Sequence, residues 1–458
     1  MNKNIQQILV NEFAEGLMRT HEGTIFMKAP DGTNLLLSSK EAFHTIKSAM
    51  EDYSDDFATK GQVLTVINQL NHEASKLPPS NMDVRISSTR ENIMLHMNKA
   101  DVRIITKEHR KRCRNDKSFI KPENSLPLPD LVKSKKGILY SLNDLTNLDE
   151  EQFACFLSWI LAVFMPEGTI PVLAISGPKE SGKTTIARIA KALIDPSKED
   201  VHKLSSPQTL KELRKENKVI VFDDLTHIPT SMVNCLCEAA SGKKSLNHVD
   251  FSSTSTEQIS RTAIILCGEN NVLANSQLRK IAIPIETQRI SSDCWKTPDH
   301  IVKAFKNQSG MLLNALLKTL KNALKDYEPP VVNEPLAHTF AWTTAWEPWL
   351  YEKGEVKAYL RETISNLGSL PATAEVFEKE LTILLKKKGS WSGTPSDLLN
   401  KLTKHAGKKA LSEYWPKDAA SFSYRLKAIE PSLLEVGISV NRTRTKNKRQ
   451  LVLKRLDR

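Results

Sequence analysis

No apolar run in the chain is long enough to cross a bilayer. The longest, residues 153–165, carries Ser158 inside it and falls short of the roughly 20 residues a spanning helix needs. The start, MNKNIQQILVNEFAEGL, spaces its apolar residues at helical intervals. It lacks the basic start, solid apolar stretch and small-residue cleavage site of a secretory leader. Cysteine is scarce: the six, at 113, 155, 235, 237, 267 and 294, include no CxxC pair. That argues against a disulfide framework, and Cys235 and Cys237 have no nearby His/Cys set to complete a metal site. Internal repeats and long low-complexity tracts are absent as well. A reduced, cytoplasmic protein without a membrane segment is expected.

What the chain does have is charge, unevenly placed. Of 65 Lys+Arg and 53 Asp+Glu, residues 381–458 hold 18 and 6, a net of +12, which leaves 47 of each in the rest of the chain. The whole surplus therefore belongs to the last segment. A neutral body with a basic end points to a module that binds a polyanion, because Lys and Arg neutralising phosphates drive nucleic-acid affinity.

Two proline-rich stretches punctuate the chain, KPENSLPLPD at 121–130 and EPPVVNEPL at 328–336. With a prior of two to four domains at this length, they divide it into four parts. Residues 1–130 form an α/β accessory or loading region, 131–330 the main domain, 331–380 a helical connector and 381–458 the basic end. In the first part the pattern predicts a helix through IQQILVNEFAEGLM and a hairpin turning at Asp31-Gly32. Helices through KEAFHTIKSAM and GQVLTVINQLNHEASKL follow, then strands MDVRIS, NIMLHM and DVRIIT. The basic cluster KEHRKRCR at 107–114 reads equally as a surface loop or as a contact to a nucleic-acid backbone. TNLDEEQFACFLSWILAVFMP reads as an amphipathic helix capped at Asn147 and stopped at Pro166.

The chemistry concentrates in SGPKESGKTT, residues 176–185. Gly177, four residues, then Gly182, Lys183 and Thr184 is the spacing of a phosphate-binding loop, which needs glycines for close backbone approach, a lysine for charge and a hydroxyl for Mg²⁺. Strand IPVLAIS precedes it and helix KTTIARIAKALI follows, the setting the motif requires. Gly177, Pro178, Lys179, Glu180, Ser181, Gly182, Lys183, Thr184 and Thr185 are the expected ATP contacts. KVIVFDDL is a buried strand ending in two carboxylates. Asp223 is assigned to Mg²⁺ with Thr184, on the strand beside the loop, and Asp224 to the attacking water. RTAIILCGENNVL ends in polar residues, of which Asn270, with Asn271 as the alternative, would sense the γ-phosphate. NSQLRKIAIPIE places Arg279, with Lys280 as its alternative, where ring-forming ATPases reach into the neighbouring subunit's site. Each has a plain alternative: a strand ending in a polar turn, or a solvent-facing arginine.

Loop, acidic strand, polar-ended strand and arginine fall within about 110 residues, and in that order they resemble the superfamily 3 helicase type of AAA+ ATPase found in phage and mobile-element primase-helicases. GTIPVLAISGPKESGKTTIARIAKALIDPS resembles their loop region. WSGTPSDLLNKL and YWPKDAASFSYRLKAIEPSLLEVGISV resemble their small C-terminal domain. The resemblance covers residues 130–458 well and the first 130 loosely. It departs at Asp224, where relatives often carry Asn or Glu, and at Cys267-Gly268-Glu269, which shifts the sensor register. It implies an α/β P-loop AAA+ core with a C-terminal winged helix, ATP and Mg²⁺ as cofactors, and a homo-oligomeric ring, of which a hexamer is one form. It also implies a hairpin in ASGKKSLNHVDFSST whose Lys243, Lys244 and His248 grip single-stranded DNA in a channel; a solvated loop is the alternative.

The basic end reads as helix, helix and two-stranded hairpin. In a winged helix, Ser421, Ser423, Tyr424, Arg425 and Lys427 would face duplex DNA, and Arg442, Arg444, Lys446, Lys448 and Arg449 would form the wing. A protein-contact surface is the other use of that fold. The expected function is an ATP-dependent DNA helicase or translocase acting in replication of a phage or integrated element, in the cytoplasm of a bacterial host. The alternatives are an ATP-switched initiator or regulator without processive unwinding, and an anti-phage defence ATPase. Residues 1–130 show no catalytic carboxylate set or zinc-ligand spacing of a primase, so priming would fall to a separate primase or polymerase.

Overall fold

The computed structural model describes residues 3–20, 23–54, 57–80, 82–98, 101–114, 119–120, 122–226, 228–242, 260–269, 272–273, 275–291, 295–332, 334–369, 377, 380–385, 389–407, 410, 415–435, 437–444 and 449–455. The first unit contains α1 (Lys3–Ala14), β1 (Met18–Arg19), β2 (Ile25–Lys28), β3 (Asn34–Leu36), α2 (Lys40–Asp52) and α3 (Lys60–Ser75). Helices α2 and α3 start where side chains satisfy orphan N–H groups. Ser39 accepts from Ala42 N, and Thr59 and Gln62 cap each other reciprocally. Leu9 and Phe13 of α1, Ile46 and Met50 of α2, and Val66 and Leu70 of α3 share one core. The hairpin turns at Asp31-Gly32 as expected, with the Asp31 carboxylate accepting from Thr33 N at 2.9 Å. α1 stops at Ala14, short of the expected Met18, which instead pairs with Phe26.

Next come β4 (Asp83–Val84), β5 (Ile86–Ser88), β6 (Asn92–Asn98), β7 (Asp101–Thr106), β8 (Arg110–Arg114) and β9 (Phe119–Ile120). Strands β5 to β8 form an antiparallel meander in chain order. MDVRIS is not one strand. It breaks at Arg85, a buried residue in left-handed backbone with φ 67°. KEHRKRCR is a loop only over residues 107–109, because Arg110–Arg114 pairs along β7.

The central domain runs from a 3₁₀ turn (Ile138–Leu145) through α4 (Glu150–Ala162), β10 (Val172–Ser176), α5 (Lys183–Ile194), α6 (Pro207–Glu216), β11 (Val219–Leu225) and α7 (Thr230–Ser241). It continues with β12 (Ala263–Gly268), α8 (Ser276–Arg279), β13 (Ala282–Glu286) and the long α9 (Pro298–Asp326). The four strands form a parallel sheet in the order β11-β12-β10-β13. Buried on both faces, the strands read as unbroken apolar runs. Alternate residues serve two cores. Leu173, Ile175, Val221, Ile265 and Ile283 face α4, α5 and α9, while Val172, Ala174, Ile220, Ile264 and Ala282 face α7 and α8. The chain is thus a mixed α/β protein with a parallel sheet.

α4 corrects the sequence reading twice. Residues 153–162 are buried all round rather than on one stripe, and the cap is Asp149, which accepts from Gln152 N at 2.8 Å. Asn147 instead donates to Gln288 O. The helix is enclosed because α10 (Ala337–Trp346) and α11 (Glu355–Ser369) cover it; Trp342 Nε1 donates to Leu161 O at 2.9 Å. Trp342 and Trp346 are fully buried, whereas Trp349 lies half-exposed on a following 3₁₀ turn.

The core also crosses residue 130. Ile86, Ile93, Leu95, Met97 and Ile105 of the meander pack into the same cluster as α4 and α9. The proline-rich stretch is fixed to this body rather than loose: Leu128 N donates to Met97 O, and Leu126 N to Pro196 O.

At the basic end, residues 380–385 are helical and are followed by β14 (Ser390–Gly393), α12 (Pro395–Ala406), α13 (Ala419–Glu435), β15 (Ile438–Arg444) and β16 (Arg449–Arg455). The sequence reading had two helices and a hairpin. The structure adds β14, which pairs with β16 to give an antiparallel sheet in the order β14-β16-β15. Phe377, Leu381, Trp391, Leu398, Leu402, Phe422, Leu426 and Leu453 form a separate core. Among the described residues, no helix is long and apolar enough to cross a membrane.

Candidate functional site

Strand β10 ends at Ser176 and the chain turns through residues 177–182 into α5. The turn depends on glycine twice. Gly177 has φ 150°, and a Cβ there would run into Thr287. Gly182, at φ 85°, is the N-cap of α5 and leaves the first N–H groups without a side-chain cap. A helix start of this kind presents donors and the positive end of the helix dipole to an anion. Glu180 is also left-handed at φ 61°, a conformation that costs energy for a residue with a Cβ. Pro178, Lys179 and Glu180 are exposed, Ser181 is buried, and Thr185 is partly buried.

Lys183 folds back over this turn. Its ammonium donates to Gly177 O at 3.0 Å, to Pro178 O and to Ser181 Oγ at 3.5 Å. One residue on, Thr184 Oγ1 donates to Asp223 Oδ2 at 2.6 Å. The acidic strand does not lie beside the loop strand as expected. β12 stands between them, and α5, which packs on both β11 and β12, carries Thr184 across the gap.

β11 ends in a bulge, with its pairing to β12 shifting register between Phe222 and Leu225. The shift puts Asp224 in left-handed backbone at φ 58°, exposed to solvent, while Asp223 Oδ1 accepts the Asp224 N–H at 2.8 Å. Asp223 is thereby oriented through both oxygens. The tip of β12 comes close to the same bulge, where a Cβ on Gly268 would collide with Leu225 O. Beneath it, burial pushes the Cys267 thiol well up from its ordinary range, so it stays protonated as a weak donor toward Lys183 O. Cys267 is a packing residue here.

These residues fit a nucleotide phosphate with a divalent cation. The uncapped start of α5, the Gly177 position that admits no side chain and the lysine over the loop suit phosphate oxygens. A hydroxyl and one carboxylate are the usual protein share of a Mg²⁺ shell, the rest being water and phosphate. Among the described residues no three His, Cys, Asp or Glu side chains gather as a protein-only metal site, and Cys155, Cys237 and Cys267 are free thiols.

Two residues near the loop escaped the sequence reading. Thr287, immediately after β13, binds Ser176 O through its N–H and hydroxyl and pairs with the Ser181 hydroxyl at 2.6 Å, so it braces both ends of the loop. Arg289 stands 3.9 Å from Glu180 with both side chains exposed. The one signal for either was proximity in sequence to β13, which no motif marks.

Arg279 ends the single turn of α8, capped by Asn275, and is partly buried; Lys280 beside it is exposed. Asn270 and Asn271 lie outside the described residues, as do Lys243, Lys244, His248, Lys446 and Lys448. On α13, Ser421 is taken up in the helix start with Asp418, and Ser423 donates to Ala419 O. Arg425 is half-buried, and burial pushes its guanidinium down. The Tyr424 and Lys427 side chains, and those of Arg444 and Arg449 on the hairpin strands, are outside the description. Arg442 is engaged by Glu430 at 2.8 and 2.9 Å, so a phosphate there would compete with a carboxylate.

No curated protein matches the chain. Among solved structures it is similar to the A form apo structure of the NrS-1 C-terminal region, at TM-score 0.37 and 12% identity, covering 98% of each chain. A second structure of that region gives TM-score 0.34 and 11% identity, again covering 98% of each chain. Residues 377–458, the basic end with its separate core, match the model of the AICE RepA C-terminal domain family.

Proposed function

We propose that the chain is a DNA-dependent ATPase, a translocase or helicase acting in replication of a phage or integrated mobile element. The observation that carries this reading is the contact between Thr184 and Asp223, one residue on from a Lys183 folded over the loop, at the start of a helix with no side-chain cap. The replication role is supported by the family that residues 377–458 match, which is named for a RepA protein.

When bound, Mg·ATP supplies the phosphoryl group whose transfer to water releases free energy. Lys183 exchanges loop carbonyls for phosphate oxygens, and Thr184 and Asp223 hold the cation. Asp224, exposed beside them, orients the water and takes up its proton. Arg279 completes the site of the next subunit in a ring, where such an arginine is worth on the order of 10³-fold in rate. Lys243, Lys244 and His248 follow the strand in the channel, and the winged helix of the basic end holds duplex.

The test is ATP hydrolysis by the full chain without DNA, with single strands and with duplex, alongside Lys183→Ala and Arg279→Ala. Stimulation by single strands that both variants abolish is the expected result. One feature favours a second reading, an ATP-switched initiator: Asp224 is a methylene shorter than the usual glutamate and sits in strained backbone. Tight ATP binding with negligible turnover on any DNA would establish that instead.

A further inference from the structure

Four cations from three segments meet where the phosphate loop has no part. Arg103 on β7, Arg110 and Lys111 on β8 and Lys321 on α9 line a pocket of about 340 Å³ whose apolar lining is Ile105, Leu131 and Leu317. Among the described residues no carboxylate lines it. Ile105 pairs with Arg110 and Arg103 with Arg112, so these four positions lie on one face of the meander.

The cations are incompletely satisfied by the protein. Arg103 Nε is buried without a hydrogen-bond partner. Its ion pair with Asp101 is long, at 3.8 Å, and Asp101 is held more closely by Arg112, at 3.0 Å. Arg110 is fixed in place by Asn314 Oδ1 at 2.9 Å. Burial and the neighbouring Arg103 push its guanidinium down. Like charges gathered around one pocket and partly removed from water are costly unless an anion sits among them.

We propose that this pocket holds the phosphodiester backbone of a nucleic acid. A polymer of phosphates fits better than one small anion because the cations continue past the pocket. Lys133, Lys135 and Lys136 follow Leu131 with no acidic residue among them, and Lys318 and Lys325 flank Lys321 along α9. Lys318 donates to Ser134 Oγ, tying the two tracts together. Arg112 extends the row along β8 with 67% of its side chain exposed. Planar guanidiniums on an apolar floor suit phosphate oxygens with the sugar against carbon. The site carries no base-reading geometry, so it binds without sequence preference. This inference rests on the reading that the chain acts on nucleic acid, and is independent of ATP turnover.

The experiment is anisotropy of a short labelled oligonucleotide, single-stranded and duplex, with the full chain over a salt series and no nucleotide present. Lys111→Gln with Lys321→Gln is compared with Lys446→Gln with Lys448→Gln in the C-terminal hairpin. The pocket pair is expected to weaken binding tenfold or more and to lower the salt slope by about two, about one per phosphate contact, with an unchanged melting temperature. The effect should add to that of the hairpin pair. Unchanged affinity and slope on both oligonucleotides overturns the proposal, as does a full chain that binds neither. Loss of tripolyphosphate binding with oligonucleotide binding intact overturns it too, in favour of a small phosphorylated ligand. Lys183→Ala separates the two readings, since it removes ATP turnover and leaves oligonucleotide binding at the pocket unaltered.

Discussion

Thr287 shows what a single hydroxyl does at the candidate site. It joins Ser176 O, at the end of β10, to the Ser181 hydroxyl near the far end of the loop. Thr287→Val keeps the shape and removes both contacts. Leaving such partners unpaired costs about 1–2 kcal/mol, and nucleotide affinity should fall further than the melting temperature does. Equal loss of both in calorimetry and thermal unfolding would mean a purely structural brace. Lys218 offers a prediction with a sign. Burial, with Arg261 nearby, lowers its pKa from 10.5 to about 8. The unfolded chain therefore binds more protons than the folded one between those values, and stability rises with pH across that window. Below about pH 8 the full penalty applies, about 3 kcal/mol by the shift. In Lys218→Met that penalty is gone, so the variant's advantage over the parent should shrink as pH rises from 8 to 10.5. Comparison with the parent cancels the opposing contributions of buried thiols and tyrosines. A constant difference in thermal midpoint across that range would show that Lys218 titrates in the fold as it does in the unfolded chain.

Elements were legible in the sequence where local pattern and tertiary environment agree. β10, β11 and β12 are β-branched runs bounded by polar ends, and burial on both faces demands just that composition. α5 follows from Gly182 and ends at Asp195-Pro196 as expected. β8 was not legible, because RKRCR has no apolar alternation and becomes a strand only through its pairing with β7. Ser390–Gly393 likewise acquires its conformation from β16. α4 looked amphipathic because nothing local announces that Trp342 and Trp346, nearly two hundred residues on, will cover its outer side. The site divides the same way. Thr184 and Asp223 were named by motif and meet in space, whereas Thr287 comes from a strand end with no motif.

Arg85 tests how elements are joined. Its guanidinium, 2% exposed, contacts Asp195 at 3.1 Å, and Asp195 also holds Lys191 and the N–H groups of Lys218 and Val219. Burial pushes Asp195 up, but Lys191, Arg85 and the Val219 N–H outweigh it and hold its carboxyl below the ordinary value. The meander is thereby fastened to the end of α5 and the start of β11. Arg85→Met leaves a buried carboxylate short of a partner, a loss of about 3–5 kcal/mol. Amide exchange should speed up in β5 and β6 before it does in β10. Uniform acceleration throughout would mean that the joint stabilises the whole body and not this seam.

For the whole molecule, the proposal that Arg279 acts across a subunit boundary makes a mixing experiment decisive. Lys183→Ala and Arg279→Ala should each be inactive alone. Mixed one to one, they should regain turnover, because some interfaces then pair an intact lysine with an intact arginine. Recovery absent despite co-assembly by sedimentation would place Arg279 within its own subunit's site or outside catalysis. Charge behaves differently at this scale than composition implied: the body is neutral in sum, yet β8, the segment after Leu131 and α9 together present a basic surface.

The meander and the parallel sheet share one apolar interior and the basic end has its own, while the α1–α3 unit has a core of its own but also buries Met18 and Phe26 against Val84 and Ile120. That pattern marks where the gene tolerates exchange. A crossover near codon 376 swaps a self-contained cassette, whereas one near codon 80 parts Met18 and Phe26 from Val84 and Ile120 and Asn34 from Phe119. One at codon 130 would marry Ile93 and Leu95 to a stranger's helices. Sequences recombining in nature should therefore change their last 80 residues freely, and inherit the stretch before them largely as a single block.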